Sequence, residues 1–225
     1  MDKTFGEKAT KFFLGLNPKF KKPADIQILL PYEDANVRSV VRRFFEKFYN
    51  DFDKRIFLFG INPGRYGAGT TGISFTDPLR LETDCGIEND FPKKAELSSD
   101  FIYQMIAHLG GPQKFYSKFF LTAICPVGFT SGGRNLNYYD DAKLQEAAQP
   151  FIVESIRNQL SFGADRRKAY CIGEGMNFKF LKKLNDAARY FETIVPLPHP
   201  RFIMQYRRKR LREYLDAYEQ ALSGT

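Results

Sequence analysis

A chain of 225 residues, 43% hydrophobic and 27% charged, has the size and balance of one globular domain rather than of a disordered chain. Its net charge of +8 points to a polyanionic partner, and Arg207, Arg208, Lys209, Arg210 and Arg212 crowd one short segment. Cys85, Cys125 and Cys171 are too far apart for a paired metal motif and odd in number, which excludes a disulfide framework and favours a reducing compartment.

The first residues, MDKTFGEKATKFF, lack the apolar stretch of a secretory leader, and no apolar run reaches spanning length. The expected protein is therefore a cytoplasmic, nucleoid-associated monomer with no membrane partner. Without repeats or linker-like stretches, residues 1–225 read as a single domain. Ala35–Asn50 is an amphipathic helix, with Val37, Val40, Val41, Phe44, Phe45 and Phe48 on one face. Arg55–Phe59 is a short apolar strand running into Gly-Ile-Asn-Pro-Gly. After a glycine-rich stretch, Ser99 is placed to cap a helix carrying Phe101, Ile102, Met105, Ile106 and Leu109, stopped by Gly110-Gly111.

Phe119–Ile124 is the second strand, followed by a loop through Asn137 and a helical region, Asp140–Leu160, expected to kink or split at Pro150. Lys168–Ile172 is the third strand, followed by a helix with Phe178, Leu181 and Leu184. Glu192–Leu197 is the fourth, ending in Pro-His-Pro, and a last helix carries Leu211, Tyr214, Leu215 and Tyr218. Alternation of this kind predicts an α/β fold, three layers α/β/α around a four-stranded parallel sheet. Four loops, Ile61–Pro78, Cys125–Asn137, Gly173–Asn177 and Pro198–Phe202, leave the carboxyl ends of the strands, the edge where open α/β sheets bind ligands.

The first loop belongs to GINPGRYGAGTTGISFTDP, residues 60–78. Its Gly67-Ala-Gly69-Thr-Thr-Gly72 matches a dinucleotide fingerprint formally, but the glycines do not follow the strand directly and no helix pattern opens at Gly72. Asn62 stands just past the strand, before a Pro-Gly turn that aims its amide into the crevice. Phe75 is an isolated aromatic in a polar loop, either a core anchor or a stacking platform for a base. His199 is clamped between two prolines at a strand end, whereas His108 reads as a structural helix residue. No second histidine or cysteine shares these loops at ligand spacing, so neither metal nor cofactor is expected.

GINPGRYGAGTTGISF, Cys125-Pro126, Ser131-Gly-Gly-Arg-Asn-Leu136 and Pro198-His-Pro200 resemble, in order and spacing, the motifs of the single-strand-selective monofunctional uracil-DNA glycosylases. The likeness is to a divergent, bacterial-type branch of that group. It implies a DNA glycosylase that hydrolyses the N-glycosidic bond of uracil or a 5-substituted uracil. Asn62 would position the attacking water, Phe75 would stack on the extruded base, and His199 would donate to pyrimidine O2. Gly64 would lie near C5, with Tyr66 from the same loop in the base-binding set.

Two features depart from the family pattern. Ala123 stands where an asparagine reads the base edge, which implies either a wider set of leaving bases or a substitute reader such as Asn137 from the following loop. Arg201 and Phe202 replace the usual residues after His-Pro and become the candidates for the wedge that fills the emptied base stack. Ser131, Thr130, Arg207 and Arg208 would hold phosphates, while Asp77 and Asp84, possible bases from the same long loop, read rather as helix-capping or solvated residues. The rival readings are a glycosylase for deaminated purines, a DNA-binding module with a decayed pocket, and a small-molecule phosphate-ester transferase.

Overall fold

A computed structural model describes residues 2–224; Met1 and Thr225, the ends of the expected single domain, lie outside the described residues. The chain opens with α1 (Phe5–Leu14), whose start is fixed reciprocally. Thr4 Oγ1 accepts from Glu7 N–H at 3.2 Å, and Glu7 Oε2 accepts from Thr4 N–H at 2.8 Å. Strand β1 (Ile26–Leu29) precedes α2 (Ala35–Tyr49), capped by Asp34, whose expected apolar face is buried from Val37 to Phe48. Then come β2 (Arg55–Gly60), α3 (Ala68–Thr71), α4 (Pro78–Thr83), α5 (Leu97–His108) and α6 (Pro112–Tyr116).

The second half runs β3 (Phe119–Ala123), β4 (Gly128–Ser131), β5 (Arg134–Leu136), α7 (Ala142–Leu160), β6 (Ala164–Ile172) and α8 (Met176–Ala188). It ends with β7 (Thr193–Leu197), α9 (Pro200–Tyr206) and α10 (Leu211–Ser223). The expected central sheet is present: β3, β2, β6 and β7 lie side by side in that order, all parallel. Phe57, Leu58 and Phe59 in β2 are fully buried, the continuous apolar run of a strand covered on both faces. The architecture is a three-layer α/β/α sandwich.

Several boundaries differ from the sequence expectation, each for a physical reason. α7 is one unbroken helix despite Pro150, because Leu144, Ala148, Ile152 and Ile156 bury one stripe on both sides of it. α5 starts two residues earlier, at Leu97. Ser99 does not cap it but is buried, its Oγ accepting from Asp77 N–H at 3.1 Å. The loop before Arg201 is shorter than expected because Pro200 opens α9, the helical position where a missing N–H costs nothing.

A second, antiparallel sheet, β1-β4-β5, was not visible in the sequence, since strands of three or four residues show no period. Its β4–β5 hairpin turns through Gly132 and Gly133 at φ +52° and +72°, a backbone path open to glycine at both positions. This small sheet projects the segment Asn135–Asn137 over the carboxyl end of β2.

Candidate active site

The carboxyl ends of all four parallel strands open onto one cleft of about 610 Å³. Gly60 closes β2, Ala123 closes β3, Gly173 follows β6 and His199 follows β7, and each lines the wall. Asn62, Gly64, Phe75, Asn137, Arg201 and Phe202 line it too, so the structure gathers most of the expected site in one place.

Asn62 is held at both ends of its amide. Nδ2 donates to the Leu136 carbonyl at 3.0 Å, and Oδ1 accepts from Tyr138 N–H at 3.0 Å. That pair fixes the rotamer and clamps the Leu136–Tyr138 segment to the end of β2. A carbonyl oxygen has two lone pairs, so Oδ1 retains one acceptor site for a water in the cleft.

Phe75 sits at φ +55°, a backbone conformation that costs a non-glycine residue about 1–3 kcal/mol and persists only where the surroundings over-determine it. Its ring lies against the backbone of Gly60, where an added Cβ would come within 2.6 Å of Cζ. The glycine at the end of β2 therefore lets the ring lie flat at the cleft wall. The imidazole of His199 is 6.5 Å from that ring, tilted by 47°.

His199 is the N-cap of α9, and its Nδ1 accepts from Arg201 N–H at 3.2 Å. A neutral ring that accepts at Nδ1 carries its proton at Nε2. Burial pushes the imidazole down to about 4, and the nearby Arg201 charge acts in the same direction. At neutral pH His199 is accordingly an uncharged N–H donor facing the cleft. It can polarise an oxygen without first losing a competing proton.

The base-reading candidates divide. Ala123 is buried at the end of β3, in register with Gly60, and offers no polar group. Asn137 is fixed by Asp140, whose Oδ2 accepts from its backbone N–H at 2.7 Å and Oδ1 from its Nδ2 at 3.2 Å. Its backbone carbonyl accepts from Asp140 N–H at 3.0 Å, which leaves the side-chain oxygen Oδ1 for a ligand. Asn135, inside the quoted Ser131–Leu136 motif but not singled out, also lines the rim, with Oδ1 accepting from Arg65 N–H at 3.2 Å.

Other expected residues lie outside the cleft. Tyr66 is on the surface, its ring covered by Arg65 and Lys94 at 4.9 Å and 5.0 Å. Ser131 belongs to the hairpin and donates to Asp25 Oδ2 at 2.9 Å, and Thr130 is buried beside it. Arg207 and Arg208 line a shallow basic groove with Lys209 and Arg210, which joins the cleft through Gln205 and Tyr206. In that groove Arg210 is paired with Glu213 at 2.6 Å, and Arg207 stacks 5.2 Å above the Phe202 ring.

Asp77 and Asp84 hold the cap positions expected of them. Asp77 Oδ1 accepts from Arg80 N–H at 2.9 Å at the start of α4, and Asp84 ends that helix. His108 is tied to α10, with Nε2 2.8 Å from Glu219 and 3.5 Å from Asp216. Those three residues form the cluster of metal-ligand types among the described residues, and none of them lines the cleft. Among the described residues, no helix is long and apolar enough to cross a membrane.

Glu96 was missed altogether. It lines the cleft from the residue before α5, with its carboxyl pushed up to about 7, chiefly by burial and then by Asp77, against the opposing charge of Arg201. A single glutamate in a polar stretch carries no periodic or motif signal. Met176 and Asn177, at the start of α8, also reach the wall.

The family model of the uracil DNA glycosylase superfamily matches residues 46–223. Wild-type SMUG2 of Pedobacter heparinus, a crystal structure, is similar over 98% of this chain and 97% of its own, with 42% identity and a TM-score of 0.96. No curated protein matches the chain.

Proposed function

The chain belongs to the uracil-DNA glycosylase superfamily, and from that premise we propose that it is a monofunctional DNA glycosylase acting on uracil or a 5-substituted uracil in DNA. It hydrolyses the N-glycosidic bond and leaves an abasic site. The observation that carries this reading is the convergence of Asn62, Phe75 and His199 on one cleft at the carboxyl edge of the sheet.

A base inside a stack is out of reach, so it must be extruded at a cost of a few kcal/mol, offset by stacking on Phe75 and by a wedge. Phe202 is 42% exposed at the rim, in the first turn of α9, with Arg201 beside it. As the glycosidic bond lengthens, negative charge gathers on the base and positive charge on the sugar. His199 Nε2–H donates to the oxygen that receives this charge, an interaction of about 3 kcal/mol in a site that excludes water. Asn62 is too weak a base to deprotonate water, so it orients the nucleophile, which suits attack on an already formed sugar cation. Among the described residues no lysine lines the cleft, which supports a reaction that stops at the abasic site, because a lyase step needs an amine for a Schiff base.

A second reading, deaminated purines as substrates, is favoured by the small residues Ala123 and Gly64 in the cleft wall. One assay tests both. Oligonucleotides carrying uracil, 5-hydroxymethyluracil, hypoxanthine or xanthine are incubated with the enzyme and resolved with and without hot alkali. Strand breaks at uracil that appear only after alkali are expected. Damage-independent binding without any product would assign the chain to DNA-binding modules, and a borohydride-trapped adduct would overturn the monofunctional assignment.

Two further outcomes follow from this reading. Ala123→Asn restores an amide at the base edge, and should sharpen preference for uracil over hypoxanthine by about tenfold, since a hydrogen-bonding pocket discriminates more strongly than an apolar one. Unchanged preference, with Asn137→Ala abolishing it, would locate recognition in the Asn135–Asn137 segment. Arg207→Ala with Arg208→Ala should lower the slope of log affinity against log salt by about 1–2, one counterion per lost phosphate contact. An unaltered slope assigns both residues to a solvated face.

A further inference from the structure

Glu96 immediately precedes the first turn of α5, the place from which a polar side chain ordinarily folds back to cap the helix. It makes no such bond. Its backbone is fixed instead, N–H donating to Asp77 Oδ2 at 2.9 Å and the carbonyl accepting from Asp100 N–H at 2.9 Å. The side chain runs the other way, to the loop after β2, into space that two glycines leave open. A Cβ on Gly67 would fall 2.1 Å from Oε2, and one on Gly64 would fall 3.1 Å from Oε1 and 3.4 Å from Asn135 Nδ2. Among the described residues no hydrogen bond reaches the carboxyl group. The half-buried carboxyl group lines the cleft and is held by no protein donor, so its hydrogen-bonding capacity is open to a ligand there.

We infer that Glu96 is a base-contacting residue, whose carboxyl group in its neutral acid form donates a hydrogen bond to a carbonyl oxygen of the extruded base. The inference rests on the proposed glycosylase reading and deepens it. Deamination replaces an exocyclic amine, a donor, with a carbonyl, an acceptor, so a donor in the pocket separates uracil from cytosine and hypoxanthine from adenine. An ionised carboxylate reverses that preference and also repels the anionic leaving base. Burial holds the acid form up to about pH 7, with Asp77 at the cap of α4 reinforcing it and Arg201 in the first turn of α9 opposing it. Excision should therefore be fastest below pH 7 and fall as pH rises through it. His199, pushed down to about 4, is neutral across this range and contributes no inflection.

The test is single-turnover excision of uracil between pH 5.5 and 8.5 by the wild-type enzyme, Glu96→Gln and Glu96→Ala, with melting temperatures alongside. Glu96→Gln keeps a donor of the same size at every pH, so it should hold its rate to pH 8.5, where the wild type has fallen at least fivefold. Glu96→Ala should be at least tenfold slower than wild type at pH 6 and flat across the range. A wild-type profile retained by Glu96→Gln, or wild-type rates in Glu96→Ala, overturns the inference. If the wild type excises no base, the glycosylase reading fails, and Glu96 is judged on binding at pH 6 to DNA carrying 2′-fluoro-2′-deoxyuridine. There Glu96→Ala should bind at least fivefold more weakly than wild type, and equal affinity removes the contact as well.

Discussion

His199→Ala should slow single-turnover excision at least about 100-fold while DNA affinity changes little, the loss expected when one preorganised donor to a developing oxyanion is removed. The proposed donor is the neutral imidazole, its Nε2 proton fixed by the bond that Nδ1 accepts from Arg201 N–H. Because burial pushes His199 to about 4, it stays uncharged above pH 5, so His199 adds no step near the ordinary histidine value, and the Glu96→Gln variant, free of the Glu96 titration, should show a flat rate there. His199 also caps α9, so alanine removes a cap worth about 1 kcal/mol and lowers the melting temperature. His199→Asn separates the two roles. Asparagine is a good cap, so stability should return, yet its shorter side chain should not reach the base oxygen and the rate should stay low. Recovery of excision in that variant would reduce His199 to a helix cap.

Asn62→Ala should cost about 100-fold or more in the same measurement, by a different route. Its amide joins the Leu136 carbonyl to Tyr138 N–H while keeping a lone pair for water. Removing it leaves both backbone groups without that partner, about 1–3 kcal/mol of stability if water does not replace it. It also frees the neighbouring Asn137. Rates taken at saturating enzyme, well below the variant's melting temperature, remove binding and unfolding from the comparison. If the rate then stays within about fivefold of wild type, Asn62 is a clamp for the Leu136–Tyr138 segment and water is positioned elsewhere.

The sequence by itself determined the layered architecture and the edge that carries the site. Val37 to Phe48 repeat at helical spacing, and Ile56–Phe59 and Phe119–Leu121 are continuous apolar runs, so burial fixes which of these segments become helices and which become parallel strands. Parallel strands joined by helices must all end on one edge, and this is what brings Asn62, Ala123 and His199 to one cleft. Proline and glycine punctuation around Asn62 and His199 is local information, and it survived into the fold.

Only the tertiary structure decided the rest. The β1-β4-β5 sheet consists of strands too short to carry a period, and it exists because Ile26–Leu29 lies beside Gly128–Ser131, about a hundred residues later in the chain. Tyr66 and Ser131 share motifs with site residues but face away, since consecutive positions in a loop or strand point to different sides. Glu96 shows the limit most clearly. Whether its carboxyl capped α5 or entered the cleft depended on the space left at Gly64 and Gly67, some thirty residues earlier, a close approach that no local pattern records.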